Sequence, residues 1–150
     1  MTHADKAAEN FLNGYSCAQA VLAVYAPELG LDGQTALRLA SSFGGGMGRL
    51  REVCGTFSAM CMVAGLVRGY TDVNDLEQKR RHYKLIQDMA AAFKARHGTI
   101  NCAQLLKETK NSLIAEARTP EYYQNRPCVR FVRTAAEIID EMVFQQPPQA

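Results

Sequence analysis

The sequence predicts an all-α fold in which residues 1–150 form one compact domain, a bundle of about six to seven helices. Apolar residues recur at steps of three and four over most of the chain, which is the spacing of one helix face. No segment alternates apolar and polar residues as a half-buried strand does, and no Asn-Gly or Asp-Gly pair joins two strand-like runs. The length of 150 residues suits a single hydrophobic core.

Three helices are predicted before the glycine-rich segment of the chain. The first is expected to end near residues 13–14, because asparagine and glycine commonly follow the last helical turn. The second follows Ser16 and should weaken near Pro27, since proline has no backbone donor. The third covers residues 34–42, and Asp32 is placed to cap it.

The second half of the chain is also helical by its pattern. Residues 53–67 are apolar and rich in small side chains, which predicts a buried central helix. Residues 74–97 form the longest predicted helix, and Asn74 begins a capping-box pattern. Leu66 and Tyr83 are predicted to lie in the core. Short helices are expected to begin near Asn101 and Asn111, and the last helix near Cys128. The tail, residues 145–150, contains two prolines and is expected to be frayed.

Composition and charge exclude several classes of function. The formal net charge of +2 is too small to predict a nucleic-acid partner. No run of about 18 apolar residues predicts insertion into a membrane. The first residues lack the charged and apolar regions of a secretory signal, so a cytoplasmic protein is expected. In such a protein an odd count of five cysteines argues against a framework of structural disulfides.

Four of the five cysteines fall at predicted helix starts, namely Cys17, Cys54, Cys102 and Cys128. The segments Ser16-Cys17-Ala18-Gln19 and Asn101-Cys102-Ala103-Gln104 share one pattern, in which a capping residue comes before the cysteine and glutamine stands three positions after the cap. The first turn of a helix has unpaired N–H groups and the positive end of the helix dipole. A thiol there is expected to have a lowered pKa, and its thiolate is both a nucleophile and a metal ligand.

The surroundings of these cysteines strengthen the expectation at two of them. Arg49 and Arg51 lie near Cys54 in the sequence, and Arg126 and Arg130 flank Cys128, so their charges would favour thiolates. Cys61 differs from the four because it lies two turns inside the central helix among apolar residues. We interpret Cys61 as a packing residue.

The glycine-rich segment, residues 44–48, precedes the central helix. One interpretation is an anion-binding loop at a helix start. The other is a tight connection that lets the backbone approach a neighbouring residue or a bound group. It is not a P-loop, because no Lys-Ser or Lys-Thr pair follows Gly48.

Taken together, these motifs resemble the C_GCAxxG_C_C family of small redox-active proteins, which is named for its cysteine pattern. The resemblance rests on residues 14–21, 43–48 and 53–55, followed by Cys102 and Cys128, and it covers most of the chain. The chain departs from the family pattern after Cys54, where threonine and alanine stand in place of alanine and glycine.

The resemblance implies that the four cysteines at helix starts are the active ones. It also implies that a bound group would lie against the glycines Gly44, Gly45, Gly46, Gly48 and Gly55. The chain is further similar to the cysteine-bearing part of split-Soret cytochrome c, which is associated with an iron–sulfur centre. That similarity implies an iron–sulfur cluster, or another thiolate-bound metal, on the same four cysteines. No C-x-x-C-H motif is present, so no covalent haem is expected.

Three hypotheses remain open from the sequence. In the first, the cysteines exchange thiols and disulfides with a redox partner protein or a small thiol. In the second, they bind an iron–sulfur cluster or another soft metal and transfer electrons. In the third, the protein is a helical interaction module whose cysteines only pack. A homodimer is also predicted, because a wholly apolar central helix needs covering on all sides.

Overall fold

The computed structural model describes residues 1–107 and 113–145, and these residues confirm the all-α class, with eight α-helices and no strand. A 3₁₀ turn (Ser41–Phe43) follows the third helix, and a π-helical turn (Asp140–Phe144) continues the last. The helices are α1 (His3–Leu12), α2 (Cys17–Tyr25), α3 (Gly33–Ala40), α4 (Gly55–Arg68), α5 (Leu76–His97), α6 (Cys102–Leu106), α7 (Pro120–Asn125) and α8 (Cys128–Ile139).

Local hydrogen bonds explain where the first helices begin. The Ser16 hydroxyl accepts a hydrogen bond from the backbone N–H of Gln19, and the Gln19 side chain accepts one from the backbone N–H of Ser16. This complete capping box fixes the first turn of α2. At α3 the Asp32 carboxylate accepts from the backbone N–H of Thr35 at 3.0 Å. The predicted start of α2 after Ser16 is confirmed, and α3 ends at Ala40, two residues before its predicted end, where the 3₁₀ turn begins.

The long helix α5 begins two residues later than its pattern predicts. Its cap is Asp75, whose carboxylate accepts from the backbone N–H of Gln78, and Asn74 lies outside the helix. The carboxylate of Asp75 is therefore the group that satisfies the first turn. At the other end Gly98 has a φ of +87°, the left-handed conformation that commonly ends a helix.

The core lies where α1, α2, α4 and α8 pack together, with α1 against α2 and α8, and α2 against α4. Only Met89 and Phe93 are buried in α5. The prediction that Leu66 and Tyr83 lie in the core is wrong, since they are 47% and 49% exposed. Leu66 lies in α4 and Tyr83 in α5, each on a part of its helix that no neighbouring helix covers completely. The fully buried large side chains include Phe11, Val21, Leu22, Tyr25, Met60, Val63, Val132 and Ile139.

The segment before α8 differs from the sequence prediction. The structure contains α7, which the apolar spacing does not indicate, and Thr119 caps it through the backbone N–H of Tyr122. The helix predicted from about Asn111 begins outside the described residues, and so does the tail beyond Gln145. Within the described residues, no helix combines the length and the apolar character that crossing a membrane requires.

Candidate redox site

The four cysteines lie at four helix starts, as the sequence predicts. Cys17, Cys102 and Cys128 are the first residues of α2, α6 and α8, and Cys54 is the N-cap of α4. Three of the positions have a local signal, because Ser16 caps α2, Asn101 caps α6 and Pro127 precedes α8. The sulfur atoms are therefore presented by the ends of helices, where free backbone N–H groups lie.

The fold gathers these four thiols around one cavity of about 300 Å³, which all four side chains line. Cys54 and Cys102 are buried, and Cys17 and Cys128 are partly exposed. All four are free thiols. Within the described residues, no three His, Cys, Asp or Glu side chains lie close enough to hold a single metal ion. The thiols share a cavity, then, without converging on one coordination point.

The pKa of three of these thiols is raised, which contradicts the expectation from helix starts. Burial, together with negative charge on neighbouring cysteines, Cys102 included, raises the pKa of Cys17, Cys54 and Cys128 to about 12. The charges of Arg126 and Arg118 lower the pKa of Cys128 but do not offset its burial. The prediction of lowered pKa values is wrong at these three positions, because a thiolate loses its hydration inside the protein.

Glycines bring the backbone close to two of the sulfur-bearing side chains. A Cβ atom added at Gly55 would lie 2.6 Å from the sulfur of Cys17. A Cβ atom added at Gly46, whose φ is +72°, would lie 2.6 Å from the Cβ of Cys102. Four of the five predicted glycines line the cavity, and Gly46 is not among them. The loop interpreted as a tight connection does permit close backbone approach.

Backbone contacts with residues 52–54 also fix the start of α6. The backbone N–H of Cys102 donates to the carbonyl of Glu52, and the backbone N–H of Cys54 donates to the carbonyl of Ile100 at 2.8 Å. An isolated antiparallel bridge pairs Val53 with Asn101. These bonds hold Cys54 and Cys102 on adjacent segments, although they are 48 positions apart (102 minus 54) in the chain.

Arginines surround the thiols. Arg51 is only 9% exposed and donates from Nη1 to the sulfur of Cys102 at 3.5 Å. Arg49 and Arg126 also line the cavity, and both donate to the Glu116 carboxylate, at 3.1 and 2.9 Å. Arg130 does not belong to this set, since it is exposed and its charge acts on the pKa of His97.

Two charged residues of the cavity were not found from the sequence. Arg118 and Glu116 line it from the segment before α7. Neither has a motif around it, and the only signal was their closeness in sequence to Cys128. Their contribution depends on how the segment folds over the cavity, which the local pattern does not specify.

Thr56, one of the two departures from the family pattern, contacts a cysteine of the site. The hydroxyl of Thr56, a fully buried residue, shares a hydrogen bond of 3.0 Å with the sulfur of Cys54. The alanine of the family pattern could not form it. Ala59, the second departure, is also fully buried.

Cys61 lies apart from the four cysteines of the cavity. It is inside α4, half-buried against the core, and it does not line the cavity. Burial alone raises its pKa to about 11. This placement fits the interpretation of Cys61 as a packing residue, and it makes Cys61 a matched control for the other cysteines.

The fold and the site together define a small all-helical protein with four thiols at helix starts around one arginine-lined cavity. The chain belongs to the C_GCAxxG_C_C family, described as "Putative redox-active protein", whose model matches residues 15–142. That description supports a redox role for the chain. No curated protein and no solved structure matches the sequence.

Proposed function

We propose that the protein transfers electrons through an iron–sulfur cluster held by Cys17, Cys54, Cys102 and Cys128. The observation that carries this proposal is that four thiols from four separate helix starts line one cavity. Four cysteine thiolates are the usual ligand set of both common cluster types. When bound, such a cluster supplies reversible one-electron transfer. The chain supplies the ligands, the shielding from water and the surrounding charge.

The charge around the cavity supports thiolate ligands. Buried thiolates are costly without compensation, as the raised pKa values of three of these cysteines indicate. Arg51 donates directly to one sulfur, and further arginines line the same cavity. The helix starts add backbone N–H groups and the positive ends of helix dipoles. This environment suits a bound group that carries net negative charge.

The lack of one shared coordination point among the described residues favours a cluster over a single ion. A structural zinc site brings four ligands to one point in a tetrahedron. In the described residues no such convergence of three or more ligands is found. A cluster distributes its cysteines over several iron atoms, so that one iron needs only one or two of them.

Thiol–disulfide exchange by the same cysteines is the second candidate. It is supported by the closeness of the thiols, since negative charge on a neighbouring cysteine raises the pKa of each of Cys17, Cys54 and Cys128. It is weakened by pKa values of about 12, because exchange requires a thiolate and, unlike cluster binding, brings no cation that would stabilise it. Either chemistry requires a redox partner, which stays a prediction, as does the homodimer.

The test is to purify the protein without oxygen and to measure its visible spectrum, iron and acid-labile sulfide. We expect cluster absorption with iron and sulfide in matching amounts. Replacement of Cys128 by serine should remove most of both, and Cys61→Ser is the matched control that should retain them. A colourless protein without iron would contradict the proposal. Reversible loss of two free thiols on mild oxidation would then support exchange, and thiols that neither bind metal nor oxidise would leave the packing hypothesis.

A further inference from the structure

Charged side chains line the cavity beside the four thiols, and not all of them have a thiol or a carboxylate as partner in the described part of the chain. Among the described residues, four arginines and a single carboxylate line it, and the carboxylate belongs to Glu116. Arg51 is directed at a cysteine sulfur, and Arg49 and Arg126 share the carboxylate of Glu116. Arg118 remains, and it contacts neither a cysteine nor a carboxylate in the hydrogen bonds of the described residues.

Aromatic rings hold the guanidinium of Arg118 in place. Its central carbon lies 4.7 Å from the ring centre of Phe11 and 4.6 Å from that of Tyr122. Its Nη2 donates to the backbone carbonyl of Tyr15 at 3.1 Å. Contacts of this kind between a guanidinium and an aromatic ring are attractive and fix the orientation of the planar group. Arg118 is therefore positioned before any ligand arrives.

The other terminal nitrogen of this guanidinium has no hydrogen-bond acceptor among the described residues. The Nη1 atom of Arg118 is buried, and no described atom accepts a hydrogen bond from it. A buried charged donor without an acceptor is costly, and native structures usually supply one. The side chain lines the cavity, so a small shift of the guanidinium would let a ligand in the cavity supply that acceptor.

The chain itself indicates which acceptor fits this region. The carboxylate of Glu116 already accepts from two arginines of the cavity, at 3.1 and 2.9 Å. The planar fork of an arginine matches a carboxylate. Beside these charges the cavity has apolar walls formed by Phe11, Leu105 and Phe131. Its volume of about 300 Å³ lies at the lower end of the range for small-molecule sites.

We infer that the cavity binds a short aliphatic carboxylate, with its charged end on Arg118 and beside the four thiols. The inference deepens the proposed function and rests on the same cavity, because it names the class of small molecule that the redox centre would meet. It concerns binding alone and requires no particular reaction of the ligand.

Binding is tested by titrating the purified full-length protein with butyrate and with butyramide, its uncharged analogue, by calorimetry. We expect saturable binding of butyrate and at least tenfold weaker binding of butyramide. Arg118→Gln should weaken butyrate binding by about tenfold or more, the effect of losing a hydrogen bond to a charged group. Arg118→Lys keeps the charge without the fork and should give an intermediate loss. Arg96→Gln, which removes an exposed arginine bound to Glu137, should change nothing.

Three results would overturn the inference. They are equal affinity for the two analogues, absence of butyrate binding, and unchanged butyrate binding in both Arg118 variants. The titration is repeated on the Cys128→Ser variant, which lacks one proposed cluster ligand. Butyrate binding is expected to persist there, so absence of iron in the protein would contradict the cluster without deciding the carboxylate site.

Discussion

Replacement of Gly55 by alanine tests how closely the start of α4 approaches the thiol of Cys17. The added methyl group would lie 2.6 Å from the sulfur of Cys17 and 2.6 Å from the carbonyl oxygen of Phe43. Both distances are far below van der Waals contact, and one of the two atoms belongs to the backbone. Overpacking of this kind costs about 1–3 kcal/mol of unfolding free energy. With a urea m-value of about 2 kcal/mol/M, a loss of 2 kcal/mol lowers the unfolding midpoint by about 1 M.

Gly65→Ala is the matched control in the same helix. A Cβ atom at Gly65 would meet nothing within 4 Å, and the residue is exposed. Alanine in a helix interior is more favourable than glycine by about 0.5–1 kcal/mol, so this variant should be more stable than the parent. The two substitutions are chemically identical, and they are expected to shift the urea midpoint in opposite directions.

Urea unfolding followed by circular dichroism measures both shifts, and iron content measured on the same samples reports on the site. Gly55→Ala should also lose iron, because the sulfur of Cys17 must move to admit the methyl group. A Gly55→Ala protein with the parent's midpoint and iron content would refute the close approach. Destabilisation of both variants to the same extent would show that the effect belongs to the helix and not to the cavity.

Three further predictions concern capping, thiol ionisation and charge. Ser16→Ala should cost about 1 kcal/mol in urea unfolding, as should Asp32→Ala, but only Ser16→Ala should lower iron content, because Ser16 caps the helix that begins at Cys17. In metal-free protein, the rate at which iodoacetamide alkylates Cys17 and Cys128 should still rise above about pH 9, since their pKa is about 12. The alkylation rate of free cysteine has levelled off there. A plateau of the rate near pH 9 in the protein would contradict the prediction. Burial lowers the pKa of His3, but hydrogen bonds to two carboxylates outweigh it and raise the pKa above 6.5. The stabilisation from charged His3 is thus complete below about pH 6.5 and is lost as pH rises through the folded-state pKa. His3→Gln should remove this pH dependence of the unfolding free energy, which is less than about 1 kcal/mol. Identical urea midpoints across pH in parent and variant would count against it.

The helix starts could be predicted because their signals are local. Ser16 and Asn101 act on backbone groups within three residues, so the sequence alone places Cys17 and Cys102 at first turns. Glycine at position 98 likewise marks the end of α5 through its own conformation. Such signals need no knowledge of the rest of the fold.

The ionisation of the thiols could not be predicted in the same way. The dipole of a helix start is local and favours a thiolate, but burial depends on which other elements cover the sulfur. At Cys17, Cys54 and Cys128 burial dominates. The gathering of the four thiols is equally non-local, since it requires contacts between segments near both ends of the chain. The position of Arg118 is non-local in the same way, because it depends on packing against Phe11 and Tyr122.

The four helices that carry the cysteines differ in length and therefore in their own stability. Cys17 and Cys128 begin helices of 9 and 12 residues that pack in the core, whereas Cys102 begins a helix of five. A helix of that length has almost no stability of its own, so among the described residues α6 is held by its cap, its bonds to residues 52–54 and the burial of Leu105. Breaking those bonds costs far less than unfolding the protein. We therefore expect the amide protons of α6 to exchange faster than those of α2 and α8, which would give solvent access to the cavity beside Cys102.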